Sequence, residues 1–155
     1  MSSSVYATLV VPQGFQYVEA AIFSIVPLLF WQSYKVGFAR RDAKIPYPQP
    51  YAEKAEAAAS KEAHRFNCLQ RAHLNTVEAL PIILISTLVV GLRRPILAAS
   101  LCGLWTFARV LYTIGYSTGE PEKRNTTGGA LHYIAQFGLV LSGIYAVVES
   151  LWGGW

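Results

Sequence analysis

Six side chains could do chemistry in this sequence where an oily helix should carry none: Arg71, Asn75 and Glu78 in QRAHLNTVEALP, and Arg109, Tyr112 and Tyr116 in ARVLYTIGY. At about 100° per residue, spacings of i, i+4, i+7 and i, i+3, i+7 keep each set within about 60° of arc, so each forms one polar stripe on a helix. An ionisable group at membrane depth costs about 2.5 kcal/mol or more unless it faces a partner, a bundle interior or a wet cavity, which makes the stripes functional-site candidates. The two guanidiniums are planar donor forks suited to carboxylates. Glu78 would take an amine and Asn75 either kind of partner, and the tyrosines bring hydroxyls on apolar rings. A small zwitterion with more than one carboxylate satisfies that inventory. The competing reading is internal pairing, in which Arg71 or Arg109 meets Glu78 and holds helices in register. Further cations at Arg40, Arg41, Lys123 and Arg124, expected at the same membrane surface, favour the ligand reading for the set as a whole.

The helices that must carry these stripes are legible from composition. Of 155 residues, 53% are hydrophobic and 14% charged, against about 25% charged in soluble domains. The apolar residues are grouped into Ala20–Trp31, Ala79–Leu92, Ile96–Val110 and Tyr133–Val148. With their mildly polar flanks each reaches about 20 residues, enough to cross a hydrocarbon core. The expected architecture is an all-α membrane protein of one domain, 1–155. Its four transmembrane helices lie near 16–38, 67–92, 95–117 and 127–151, and residues 39–66 form a cytosolic loop. No segment reaches 18 uninterrupted apolar residues, so a soluble four-helix bundle is the alternative.

The flanks argue against that alternative. Trp31, Trp152, Trp155, Tyr17, Tyr34 and Tyr145 fall near span ends, as an interfacial aromatic belt requires. The connections on one side of a four-span chain hold Arg40, Arg41, Lys44, Lys54, Lys61, Arg65, Lys123 and Arg124, whereas the middle connection holds Arg93 and Arg94. That bias places the richer side in the cytosol and both termini on the other side. The net charge of +4 is therefore a topology signal, and no nucleic-acid partner is expected. The opening MSSSVYATLVVPQG lacks the basic region of a secretory signal. Cys68 and Cys102 lie in separate spans without a CxxC, and His64, His73 and His132 are too scattered to nominate a metal. No internal repeat or glycine-rich phosphate loop is found.

Between the first two spans, Pro46, Pro48 and Pro50 dictate an extended loop, and the Ala/Glu/Lys-rich AEKAEAAASKEAHR predicts a cytosolic extension of the second membrane helix. The connection STGEPEKRNTTGG reads as a turn.

FNCLQRAHLNTVEALP together with RVLYTIGYSTGEPEKR resembles the signature of the membrane-associated eicosanoid and glutathione metabolism family, and the likeness covers nearly the whole chain. The resemblance implies a four-helix subunit assembling as a homotrimer in the endoplasmic reticulum or mitochondrial outer membrane, with glutathione held between neighbouring subunits near the cytosolic face. It further implies a lipophilic electrophile or a lipid hydroperoxide as second substrate, drawn from membrane lipid. Members conjugate glutathione, reduce hydroperoxides or make leukotriene C, and a non-catalytic lipid-presenting scaffold also occurs in the family.

Carried over position by position, the resemblance implies glutathione contacts at Arg71, Asn75, Glu78, Tyr112 and Tyr116, with Arg40 reaching the ligand from the adjacent subunit. His73 stands where glutamine is common. The thiolate-stabilising arginine maps to Arg124, with Lys123 as the other candidate, and Arg41 maps to a position that handles the second substrate. Ala79 replaces a tyrosine of the leukotriene synthase, and Arg109 is implied to be structural. A free thiol has a pKa of about 8.5, so a guanidinium beside the sulfur would supply the missing thiolate, each unit of lowering being about 1.4 kcal/mol.

Overall fold

The computed structural model describes residues 11–153, and most of them are helical. The elements are α1 (Phe15–Phe23), α2 (Ile25–Asp42), α3 (Lys54–Ala59), α4 (Lys61–Gly91), α5 (Pro95–Tyr116), α6 (Lys123–Thr126) and α7 (Leu131–Gly153). Four stretches are long and apolar enough to cross a membrane: α1 and α2 taken together, α4, α5 and α7. The four-helix membrane bundle expected from the sequence is the observed fold. Most of the opening segment and Trp155 lie outside the described residues.

Each boundary has a local cause. The first span is interrupted at Ser24 because Pro27, one turn on, has no N–H for the carbonyl of Phe23. The Ser24 hydroxyl donates instead to the carbonyl of Ala21 at 2.6 Å. The helical extension expected over AEKAEAAASKEAHR is corrected to two helices. Ser60 sits in extended backbone (φ −136, ψ 127) and its hydroxyl caps α4 by accepting from the Ala63 N–H. The local cap overrides the helix-forming composition around it. Pro95 opens α5 at its first turn, where a missing donor costs nothing. The expected turn after α5 contains the one-turn helix α6.

Large apolar side chains such as Phe23, Phe30, Ile85, Ile134, Phe137 and Leu141 point outward, the arrangement that suits a lipid surround. Inside, Ile25, Ile83, Cys102, Trp105, Ala135 and Leu139 form the main core. α5 is the central element and packs on α1, α4, α6 and α7.

Three spans are also tied by a buried polar knot. Gln32 on α2 donates through Nε2 to Thr76 Oγ1 on α4 (2.9 Å) and to Thr113 Oγ1 on α5 (2.8 Å). His73 Nδ1 stands 3.4 Å from the Gln32 carbonyl oxygen. Both threonine hydroxyls pass their own protons to backbone carbonyls one turn back, Ala72 and Arg109. At the far end, Arg94 holds Glu149 through two contacts of 3.0 and 3.1 Å.

Candidate functional site

The two predicted stripes meet. Asn75 on α4 donates its amide to the hydroxyl of Tyr112 on α5 at 2.8 Å. Tyr112 and Tyr116 are both buried and pack edge to face, ring centres 5.3 Å apart. On the outer side of α4, Arg71 Nη1 donates to Glu78 Oε1 at 3.3 Å, both side chains about half exposed. Internal pairing, the competing reading of the sequence, thus accounts for Arg71 and Glu78. It does not account for Arg109: among the described residues no carboxylate lies within ion-pairing distance of it.

Arg124 comes to the same place from α6. Its Nη1 donates to the carbonyl of Pro121 at 3.0 Å and stands 3.5 Å from the Tyr116 hydroxyl. Lys123 is engaged elsewhere, at 2.7 Å from Glu120 on the exposed side. The segment bearing Arg124 lies so close to α5 that it depends on glycines. A methyl group at Gly115 would collide with the Lys123 carbonyl, and one at Gly129 with the Arg124 carbonyl. Thr127 Oγ1 fastens the segment by donating to α5 at the Leu111 carbonyl, 3.1 Å away.

Below Tyr116, a cleft of about 340 Å³ lies between α4, α5 and α7. Asn75, Glu78 and Ala79 line it from one side and Arg109 and Tyr112 from the floor, while His132, Tyr133 and Gln136 form a wall from α7. That wall was missed in the sequence. The available signal was His132 and Gln136 at i, i+4 in an apolar helix, a third polar stripe. His132 is fixed by its contact with the Gly129 carbonyl (2.6 Å) and by an edge-to-face approach to Tyr112.

Of the nine predicted site residues, Asn75, Glu78 and Tyr112 line this cleft; Arg71, Tyr116 and Arg124 reach its lining only through their contacts with Glu78, Tyr112 and Tyr116, and the other three lie elsewhere. Arg40 is buried and closes the proline loop on itself, donating to the Gln49 carbonyl at 2.6 Å with its guanidinium 4.5 Å from the Tyr47 ring and 4.6 Å from the Phe66 ring. Arg41 is exposed beside Asp42 and Phe38. His73 faces the Gln32 knot on the other side of α4.

Arg109 and Glu78 line the cleft, Arg71 pairs with Glu78 and Arg124 stands at Tyr116, three guanidiniums to one carboxylate, an excess suited to a ligand with carboxylates. Among the described residues no group of three or more metal-ligating side chains converges. The fold and site together define a four-span integral membrane protein with a cationic cleft among its helices. Residues 18–145 match the MAPEG family, and the chain belongs to that family. Its members serve glutathione-related and eicosanoid metabolism in membranes; transferases and peroxidases are among them, and some are not glutathione transferases.

Proposed function

We propose that the protein is a glutathione-dependent membrane transferase and peroxidase of the microsomal glutathione S-transferase 3 type, working as a homotrimer with its site toward the cytosol of an endoplasmic reticulum or mitochondrial outer membrane. The observation that carries this reading is the Arg124 guanidinium standing beside Tyr116, whose ring packs on Tyr112 in the lining of a polar cleft.

In this reading Arg71 and Glu78 take the charged amino-acid end of glutathione, Asn75 and Tyr112 fix its backbone, and Tyr116 and Arg124 face the sulfur. Arg124 holds the thiol as thiolate, so no protein nucleophile is needed. In conjugation the sulfur lone pair forms a C–S bond to the electrophilic carbon while the leaving group departs with its electron pair. In peroxide reduction the thiolate attacks the terminal oxygen of the hydroperoxide, the O–O bond breaks, and the alkoxide takes a proton to become the alcohol. A second glutathione then converts the sulfenic acid to disulfide and water. Arg40 serves the neighbouring subunit's cleft and Arg41 the second substrate, roles consistent with their lying outside their own cleft. Ala79, which lines the cleft with a methyl group only, weighs against leukotriene C synthesis as the main activity.

The test is turnover of detergent-purified protein with an aryl halide, a lipid hydroperoxide and leukotriene A in parallel. Glutathione-dependent turnover of the first two is expected. Glutathione binding with no turnover of any of the three would replace the enzyme by the lipid-presenting scaffold.

A further inference from the structure

The polar groups of the site come from α4, α5, α6 and α7, yet the proline loop between α2 and α3 also reaches it. The Arg71 guanidinium donates to the hydroxyl of Tyr51 as well as to Glu78. Tyr51 lies outside every helix, so no helical spacing announces this contact.

The backbone on both sides of Tyr51 is pinned. The Ala52 N–H donates to Asn67 Oδ1 at 2.8 Å, and the Ala52 carbonyl accepts from Asn67 Nδ2 at 2.9 Å, a two-point clamp on α4. On the other side Arg40 draws in the Gln49 and Pro50 carbonyls at 2.6 and 3.5 Å. Beneath the loop, Ile45 and Ala52 are buried in one cluster with Ala63, Phe66 and Leu69. Asn67 stands one turn before Arg71. At intervals of four, four and three, Asn67, Arg71, Asn75 and Glu78 keep within about 80° of arc, so the clamp sits at the head of the α4 stripe.

Arg71 and Glu78 are both about half exposed. An exposed pair of this kind holds its long side chains only weakly. A further contact from a pinned loop narrows the positions open to the arginine, so that its fork is aimed before any ligand arrives. When Glu78 turns to an incoming ammonium, Tyr51 is the partner that stays. We propose that Tyr51 is a specificity-determining residue: it holds the Arg71 fork in place for the carboxylate of a thiol's amino-acid end, and so selects thiols that carry that end. The proposal rests on the function above, which gives that end to Arg71 and Glu78, and deepens it by adding the proline loop to thiol recognition.

The test is calorimetric binding of three thiols to the full chain in nanodiscs. They are glutathione, γ-glutamylcysteine, which keeps the charged amino-acid end, and N-acetylcysteinylglycine, in which an acetyl group replaces it. Tyr51→Phe removes only the hydroxyl. It should weaken the first two about fivefold, the worth of one hydrogen bond, and leave the third unchanged. In turnover it should raise the KM for glutathione by the same factor without changing kcat. In an Arg71→Ala background Tyr51→Phe should have no further effect. Asn67→Ala, which releases the clamp, should reproduce the pattern. Equal losses for all three thiols would reduce Tyr51 to a structural part of the loop and overturn the proposal. So would unchanged binding in Tyr51→Phe, or a loss that persists without Arg71. If Tyr51→Phe does not fold, an unchanged thiol preference in Asn67→Ala overturns it. An intact protein that binds no glutathione would bring down the proposed function and this proposal together, whereas normal binding and turnover with a silent Tyr51→Phe would bring down this proposal alone.

Discussion

Asn75 and Tyr112, 37 residues apart in sequence, are joined by one hydrogen bond of 2.8 Å that bridges α4 and α5 inside the membrane span. Each belongs to a different polar stripe, so the bond is where the two stripes become one surface. Removing the hydroxyl in Tyr112→Phe leaves the Asn75 amide without its acceptor and the ring in place. The expected result is about fivefold weaker glutathione binding by calorimetry, corresponding to about 1 kcal/mol for a hydrogen bond, with thermal stability nearly unchanged. Intact affinity would make the pair scaffold alone.

Arg124 and Lys123 are adjacent in sequence but differ in their partners, Tyr116 for one and Glu120 for the other. Arg124→Ala is therefore expected to lower kcat at neutral pH by about tenfold or more, the effect of one pKa unit on the thiolate, while glutathione affinity changes little. The sign in pH follows: the arginine lowers the thiol pKa, so its removal shifts the acid limb of the rate profile upward toward the free-thiol value of about 8.5. Lys123→Ala should leave the profile where it is. A profile that moves with Lys123 and not with Arg124 would exchange the roles.

The Gln32 knot holds α2, α4 and α5 through two bonds of 2.8 and 2.9 Å. Gln32→Leu should lower stability in detergent by about 1–2 kcal/mol, since interhelical hydrogen bonds in membranes contribute about 0.6 kcal/mol on average and up to about 1.7. Thr76→Val combined with Gln32→Leu should cost less than the sum of the two, because the same bond is lost twice. An unaltered melting temperature in Gln32→Leu would remove the knot from the account of the fold.

Gly129 gives the Arg124 segment its closeness to α5. A Cβ there would strike the Arg124 carbonyl and stand 2.8 Å from Tyr112 Cα. Gly129→Ala is expected to displace Arg124 and depress kcat in the same direction as Arg124→Ala, whereas Gly37→Ala, where no atom lies within 4 Å of the added group, should be neutral. Equal activity in the two variants would show that the segment can shift without consequence.

The four spans were readable because hydrocarbon demands long apolar runs, and helical periodicity alone placed Asn75 and Tyr112 on their stripes. What escaped the sequence depends on one hydrogen bond or on a fold-back. Ser60 ends α3 and caps α4 within a run of strong helix formers. Arg40 looks like a free surface cation in FARRDAK, yet three carbonyls of the proline loop converge on it. Which of Lys123 and Arg124 meets Tyr116 is set by which way a four-residue helix turns, and no periodicity encodes that. His132 and Gln136 were visible as polar residues, but their role as a wall requires knowing that α7 packs against both α4 and α5.

Arg71 and Glu78 already satisfy one another at 3.3 Å. On the proposed function, an incoming amino-acid terminus brings an ammonium and a carboxylate, and each half of the resident pair exchanges its partner for a like one. Charge at this pair is conserved through entry, so the exchange itself takes up and expels no counter-ion and adds little to the dependence of affinity on ionic strength. A thiol bearing only one of the two charges would strand the other half of the pair. The salt bridge thereby acts as a template of its own replacement, selecting molecules that carry both signs at once.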